Sequence, residues 1–260
     1  MSLPSATATA LDALRAAELF RKAGRVVVLT GAGISTPSGI PDFRSEGTGL
    51  WSHNEPLEAA SLTTFRTSPE KFFQWFRPLA GQIFYAQPNA AHLALADLEK
   101  HGAAVTIATQ NIDGLHQKAG SKKVLELHGT IRTLSCAQCF KKYESPLFLQ
   151  PYIENGTIPT CPSCNGILKP DVILFGEQLP HAAWDEAQRE ARQADLMLVA
   201  GSSLEVLPVA GLPMQVLDRG AHPDIGAAAA DVGHRFVDIL VARVRLGFQQ
   251  RGRGQDHAGL

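Results

Sequence analysis

No apolar run in this 260-residue chain approaches the ~18–20 residues that a membrane span requires, and the best one, residues 26–29, is short. The chain also lacks an excess of either charge: 24 Lys and Arg stand against 25 Asp and Glu, for a formal net charge of -1. That balance removes the electrostatic reason for direct binding to nucleic acid or a membrane surface, which needs a basic excess gathered on one face. The N-terminus has no basic region ahead of an apolar stretch, and Asp12, Arg15 and Glu18 interrupt its apolar positions. It reads as a ragged tail leading into a helix, with no signal peptide, and a soluble cytoplasmic protein is expected. Cysteine is scarce, and all four lie within 29 residues, in two Cys-x-x-Cys pairs. Disulfide scaffolds spread their cysteines through a small secreted domain; short paired knuckles in an intracellular chain point to a metal. A hydrophobic fraction of 45% excludes disorder of the whole chain and leaves room for one large domain and a small inserted one. There are no internal repeats.

Arg25-Val-Val-Val-Leu-Thr30 is a β-branched run without alternation, which fits a parallel strand covered on both faces. Ala104-Val-Thr-Ile-Ala108 and Asp195-Leu-Met-Leu-Val-Ala200 repeat the signature, and each of the three runs passes into small or polar residues. Open α/β sheets place a ligand crevice at such carboxyl ends. Helices are expected from Pro88-Asn89 to the stop at Gly102, and between Pro180 and Gln193. The alternation argues for an α/β fold with a Rossmann-like, doubly wound parallel sheet. Residues 133–166 break the rhythm with the cysteines and four prolines and read as a small inserted module. The aromatic-rich segment 62–85 reads as a helical insertion, about 50–86, whose spacing fits core packing and an apolar groove equally. The resulting division is 9–132 with 167–245 as the large domain and 133–166 as the module, with 1–8 and 249–260 disordered.

Cys136-x-x-Cys139 and Cys161-x-x-Cys164 supply four thiolates from two tight turns 21 residues apart. Two such knuckles close a tetrahedral Zn-S4 site with no position for water, so one structural zinc is expected. About 30 residues with few apolar side chains need that binding energy to fold.

Gly31-Ala-Gly33 stands where a strand turns, and its backbone N–H groups are placed to cradle a pyrophosphate. Thr36 occupies the place of the third glycine of G-x-G-x-x-G, so the segment alone fits a tight structural turn as well as a nucleotide site. The continuation Gly31-Ala-Gly-Ile-Ser-Thr-Pro-Ser-Gly-Ile-Pro-Asp-Phe-Arg44 is too long for a simple connection. Asp42 and Arg44 suit ribose hydroxyls or phosphate, or else pair with each other across a turn, while Pro41 and Phe43 can wall a flat ring. Thr109-Gln-Asn-Ile-Asp-Gly-Leu-His116 lies beyond the second strand, where Gln110, Asn111 and Asp113 suit a carboxamide and a sugar diol, or a helix cap. Gly201-Ser202-Ser203 is a third candidate wall. His128, at a domain junction, has the titration range of a general base toward a hydroxyl; a packed or capping role is the plainer reading for it, as for His92 and His116.

Taken in order, these blocks, with His128-Gly129, the four cysteines, Lys169-Pro-Asp-Val-Ile-Leu-Phe-Gly-Glu177 and Gly201-Ser-Ser-Leu-Glu-Val-Leu-Pro-Val-Ala210, resemble the bacterial type of the sirtuin family of NAD-dependent protein-lysine deacylases. The resemblance covers about residues 24–220. It implies an NAD co-substrate and an acetylated protein substrate bound between a Rossmann-like domain and a zinc domain. It places Gly31, Ala32, Gly33, Ser35, Ile40, Asp42, Phe43, Arg44, Gln110, Asn111, Ile112, Asp113, Gly201, Ser202 and Ser203 around NAD. Val172, Ile173, Phe175, Gly176 and Glu177 would meet a substrate peptide added as a strand between 172–177 and 201–206, with Phe175 walling the lysine tunnel. The implied chemistry expels nicotinamide by attack of the acyl oxygen on the ribose, giving an alkylimidate. His128 then accepts a proton from the ribose hydroxyls, and lysine and O-acetyl-ADP-ribose are released. Members that take succinyl or malonyl groups carry Tyr-x-x-Arg in the acyl pocket; Phe72-Phe-Gln-Trp-Phe-Arg-Pro78 lacks it, which favours acetyl or a longer aliphatic chain.

After Gly220 the family pattern of an apolar strand ending in asparagine is missing. The abrupt change fits a shifted reading frame near codon 222, and residues 236–248 read as a substitute helix. Two further readings follow: a fold that binds acylated proteins with weakened catalysis, or a mono-ADP-ribosyltransferase using the same crevice.

Overall fold

The computed structural model describes residues 14, 16–43, 45, 49–50, 56–217, 222–224 and 240–243. The expected disordered ends, 1–8 and 249–260, lie outside them. A six-stranded sheet runs in the order β3 (Val124–Glu126), β2 (Ala104–Thr109), β1 (Arg25–Thr30), β7 (Leu196–Ala200), β9 (Leu240–Arg243), β8 (His222–Asp224). Its centre is β1 (Arg25–Thr30), flanked by β2 (Ala104–Thr109) and β7 (Leu196–Ala200), both parallel to it. β1, β2 and β7 are buried along almost their whole length, as their unalternating apolar sequences require. β3 (Val124–Glu126) extends the parallel set beside β2.

Because the chain goes from β1 to β2 on one side and later returns to β7 on the other, the switch in direction falls at β1. A crevice opens at such a point, outside the carboxyl ends of the strands. Helix Ala90–Lys100 begins with Asn89 as its cap, and His92 completes the box by accepting the Asn89 N–H through Nδ1. Helix His181–Gln193 covers the sheet through Ala187 and Ala191.

The substitute helix expected at 236–248 is not what the described part forms. Leu240–Arg243 is strand β9, antiparallel to β7, and β8 (His222–Asp224) pairs outside it. Leu196–Val199 presents an apolar ladder that needs a partner, and the Leu-Val-Ala-Arg run satisfies it better as strand than as helix. The remainder of that segment lies outside the described residues.

A second, three-stranded antiparallel sheet, β5-β4-β6, comprises β4 (Gly129–Cys136), β5 (Lys142–Glu144) and β6 (Leu168–Val172). It shares one apolar core with helices Pro69–Tyr85 and Pro146–Asn155. Phe73 meets Tyr152 edge to face with ring centroids 5.2 Å apart, and the Tyr152 hydroxyl donates to the Phe73 carbonyl. Arg77 reaches across to the carbonyls of Ile153 (3.0 Å) and Glu154 (2.9 Å). The helical insertion is thereby packed against the cysteine-bearing segment. Among the described residues no helix is long and apolar enough to cross a membrane.

Candidate active site and metal centre

The loops after β1 and β7 are interlocked. The Gly31 N–H donates to the Ala200 carbonyl (3.1 Å) and the Gly33 N–H to that of Gly201 (2.9 Å). Gly201 has φ +65, and a Cβ there would stand 2.1 Å from the Ile34 nitrogen. These glycines therefore serve loop against loop, and the N–H groups of Gly31 and Gly33, expected to cradle a phosphate, are already given to carbonyls.

From β2, Asn111 enters this junction. Its amide donates to the Gly31 carbonyl (3.0 Å) and to Ser35 Oγ (3.1 Å), and Ser35 donates in turn to Asp113 Oδ2 (2.7 Å). Burial pushes Asp113 above the ordinary carboxylate value, against the Leu115 N–H and Ser35 hydroxyl that favour its charged form. Gln110 spans to the third wall, donating to Ser202 Oγ at 2.8 Å. Asp42 accepts the Ser45 N–H at 2.8 Å and so holds a turn. Its expected companion Arg44 lies outside the described residues.

His128 sits half-buried between the two sheets, immediately before β4. Its Nδ1 is 3.2 Å from the Gln110 carbonyl, which can only accept, so Nδ1 carries the proton and Nε2 the lone pair. Burial lowers its pKa from the usual imidazole value, and the Gln110 carbonyl partly opposes this. The ring is thus a neutral base at pH 7. Its own carbonyl accepts from Ile173 N–H (2.8 Å), tying the base to segment 172–177.

One cavity of about 610 Å³ gathers His128, the sequence-derived crevice residues Gly31, Ala32, Gly33, Ser35, Ile40, Asp42, Phe43, Gln110, Asn111, Ile112, Asp113, Gly201, Ser202 and Ser203, and Val172, Ile173, Phe175, Gly176 and Glu177. Glu177 also closes its own loop: Oε2 accepts the Leu174 N–H (2.8 Å) and pairs with Lys169 (2.9 Å). The aromatic-rich helix, left open by the sequence between core packing and a groove, contributes an apolar wall of Phe72, Trp75, Phe76, Leu79 and Ile83. Their spacing of one helix face was the available signal, but only the tertiary fold shows that the face borders a void.

The four cysteine sulfurs lie within 4.8 Å of one another, apart from the cavity. Cys136 and Cys164 Sγ are 3.4 Å apart, Cys139 and Cys161 3.6 Å. Arms of about 2.3 Å to a tetrahedral zinc require edges of about 3.8 Å. The two knuckles match: Phe140 N–H donates to Cys136 carbonyl (3.1 Å) and Asn165 N–H to Cys161 carbonyl (2.9 Å), with positive φ at both Phe140 and Asn165. Backbone N–H groups of Gln138 and Cys139 also face Cys136 Sγ at 3.4 Å each, favouring a thiolate. The donor set fits a structural Zn2+.

A model of the Sir2 family matches residues 31–208, more than half of the chain. The chain belongs to the Sir2 family. An NAD-dependent protein deacetylase 2 of Caldanaerobacter subterraneus subsp. tengcongensis is 48% identical over 78% of this chain and 80% of its own length. An NAD-dependent protein deacylase 2 of Archaeoglobus fulgidus is 42% identical over 87% of this chain and 89% of its own. A solved Sir2–p53 peptide–NAD+ structure superposes with TM-score 0.70 at 41% identity, covering 78% of this chain and 81% of the other. The Sir2 match spans the three crevice loops, His128 and segment 172–177, which line the cavity, and the separate cluster of four cysteines.

Proposed function

We propose that this Sir2 chain removes acetyl groups from protein lysines at the expense of NAD, giving nicotinamide and O-acetyl-ADP-ribose. The observation that carries the reading is His128: a half-buried, neutral imidazole with its proton fixed on Nδ1 by the Gln110 carbonyl, at the seam of the two sheets and on the wall of their shared cavity. NAD supplies the leaving group and the acyl acceptor. His128 takes the proton of a ribose hydroxyl at Nε2, and the apolar wall keeps water from the reacting centre.

The assignments follow the loops. Ala32, Gln110, Asn111, Asp113, Ser202 and Ser203, with Arg44, hold NAD; Ile40, Asp42 and Phe43 bound its nicotinamide end. The acetylated segment of a protein substrate adds beside 172–177, with Phe175 at the mouth of the lysine tunnel. Exposure of 43% at so large an apolar side chain supports that placement. Glu177 acts there by shaping the loop, since its carboxylate is committed to Lys169 and the Leu174 N–H. We assign 9–132 with 167–245 to the nucleotide-binding domain and 133–166 to the zinc module, with the 50–86 insertion packed against that module. The enzyme works in the cytoplasm, a compartment that keeps four such thiols reduced for a metal.

Mass-spectrometric detection of O-acetyl-ADP-ribose from NAD and an acetyl-lysine peptide tests the reading. Product is expected from the native chain and not from a folded His128→Ala. Peptide binding without product would make the chain a binding protein, and transfer of adenylate label to protein would make it an ADP-ribosyltransferase.

A further inference from the structure

Behind the crevice lie two buried histidines that the chemistry above does not use. The rings of His92 and His116 are 4.8 Å apart, with relative exposures of 0% and 1%. His92 is accounted for by the helix cap and by Ser35, 3.5 Å from its Nε2. His116 differs. Among the described residues its buried Nδ1 meets no hydrogen-bond partner, and its one side-chain bond is from Nε2 to Thr30 Oγ1 at 3.0 Å.

The direction of that bond follows from its neighbours. Thr30 gives its hydroxyl proton to Thr109 Oγ1 (2.8 Å), so Thr30 Oγ1 is left as an acceptor toward His116 and Nε2 carries the imidazole proton. Thr109 Oγ1 in turn accepts the Asn111 N–H at 3.0 Å. Thr30 and Thr109 are register partners and the last residues of β1 and β2, so both crevice loops begin one step beyond them. Leaving Nδ1 without a protein partner in the buried interior costs free energy, and the site keeps a histidine where a leucine would pack without that penalty.

We propose that His116 is a positioning residue of this enzyme: through the Thr30 and Thr109 hydroxyls it holds the Asn111 backbone, and with it the Asn111 amide that reaches Gly31 and Ser35, in the geometry that receives NAD. The inference rests on the reading of Asn111 as an NAD residue. His116 touches no substrate and acts only through the relay.

The test measures KM for NAD and kcat at saturating acetyl-lysine peptide, NAD binding by titration calorimetry, and the thermal midpoint, all on the full chain with zinc bound. The variants are His116→Leu, His116→Gln, Thr30→Val and Asn111→Ala. A lost hydrogen bond of about 1 kcal/mol corresponds to roughly a fivefold weaker hold. His116→Leu and Thr30→Val are each expected to raise KM for NAD and weaken its binding by about that factor, with KM for peptide unchanged. His116→Gln, whose amide N–H stands in for Nε2, is expected to restore both. NAD binding unchanged in Thr30→Val, with only the thermal midpoint lowered in His116→Leu, would reduce His116 to a packing role and overturn the proposal. Thr30→Val decides the matter if His116→Leu does not fold. Asn111→Ala separates the two failures: if it leaves NAD binding intact, or if the native chain binds no NAD, the site assignment falls and the relay with it.

Discussion

At the scale of single residues, the state of His128 has a direct kinetic consequence. A base is active when unprotonated, so kcat/KM for acetyl-peptide falls as pH drops through its folded pKa. Burial lowers that pKa, and the acid limb of the profile is therefore expected below the usual 6.5. A midpoint above 6.5 would mean that a nearby negative charge outweighs burial. Gly201 is the most constrained small residue of the site, at φ +65 with its Cβ direction 2.1 Å from a backbone nitrogen. Gly201→Ala is expected to lower stability by about 3 kcal/mol or more, read as a shift in the denaturant midpoint, because both backbone strain and a clash with an inflexible atom are imposed. Here the sequence was only partly informative. Gly31 and Gly33 were visible as special from their place after β1, but the close approach of one loop to another that they permit depends on Gly201, which is 168 residues or more away.

Among elements, the two knuckles are the sharpest test of the metal assignment. With zinc, the four thiolates contribute folding energy to a module that buries little on its own, so Cys136→Ser or prolonged chelation is expected to release one zinc per chain and to abolish cooperative unfolding of the β5-β4-β6 sheet. Circular dichroism with a zinc-release dye reads both. Phe140 is held at φ 60 while 81% exposed, so its ring adds little packing to offset the strained backbone. Phe140→Asn, matching Asn165 in the other knuckle, is expected to stabilise the holo protein by about 1 kcal/mol in the denaturant midpoint. The cysteine spacing made this site legible outright. The 236–248 segment was not legible, since Leu240–Arg243 is apolar enough for either period and only the open edge of β7 selects the strand.

For the whole molecule, the buried His92–His116 pair sets its behaviour in acid. Desolvation lowers them to about 4 and about 3, against 6.5 for the free side chain, so the fold holds both neutral. Their contribution is complete above pH 6.5 and is lost as pH falls, because the unfolded chain takes up protons that the folded one refuses. By pH 5 this amounts to about 2 kcal/mol for each histidine. Thermal midpoints are expected to drop steeply below pH 6.5, and a folded His92→Gln variant to show the shallower slope. The packing of helix Pro69–Tyr85 carries a prediction for the acyl group. Arg77, the cation of the Phe72-to-Pro78 segment, is spent on the Ile153 and Glu154 carbonyls, and the wall facing the cavity is Phe72, Trp75, Phe76, Leu79 and Ile83. A succinyl-lysine peptide is expected to react at least about tenfold less well than its acetyl counterpart, in competition for one pool of enzyme, since its carboxylate would be desolvated without a partner.

The parallel core strands, the zinc ligands and the order of the crevice loops are written in the residue order alone. Those features are local: an unalternating β-branched run admits one environment, two Cys-x-x-Cys turns one coordination, and a strand ending in small polar residues one kind of edge. Long-range packing sets which glycine faces which, the tautomer of His128, the direction of the hydroxyl relay from His116, and which face of helix Pro69–Tyr85 borders a cavity. Each depends on a partner far away in the chain, and periodicity carries no information about which buried polar atom meets which.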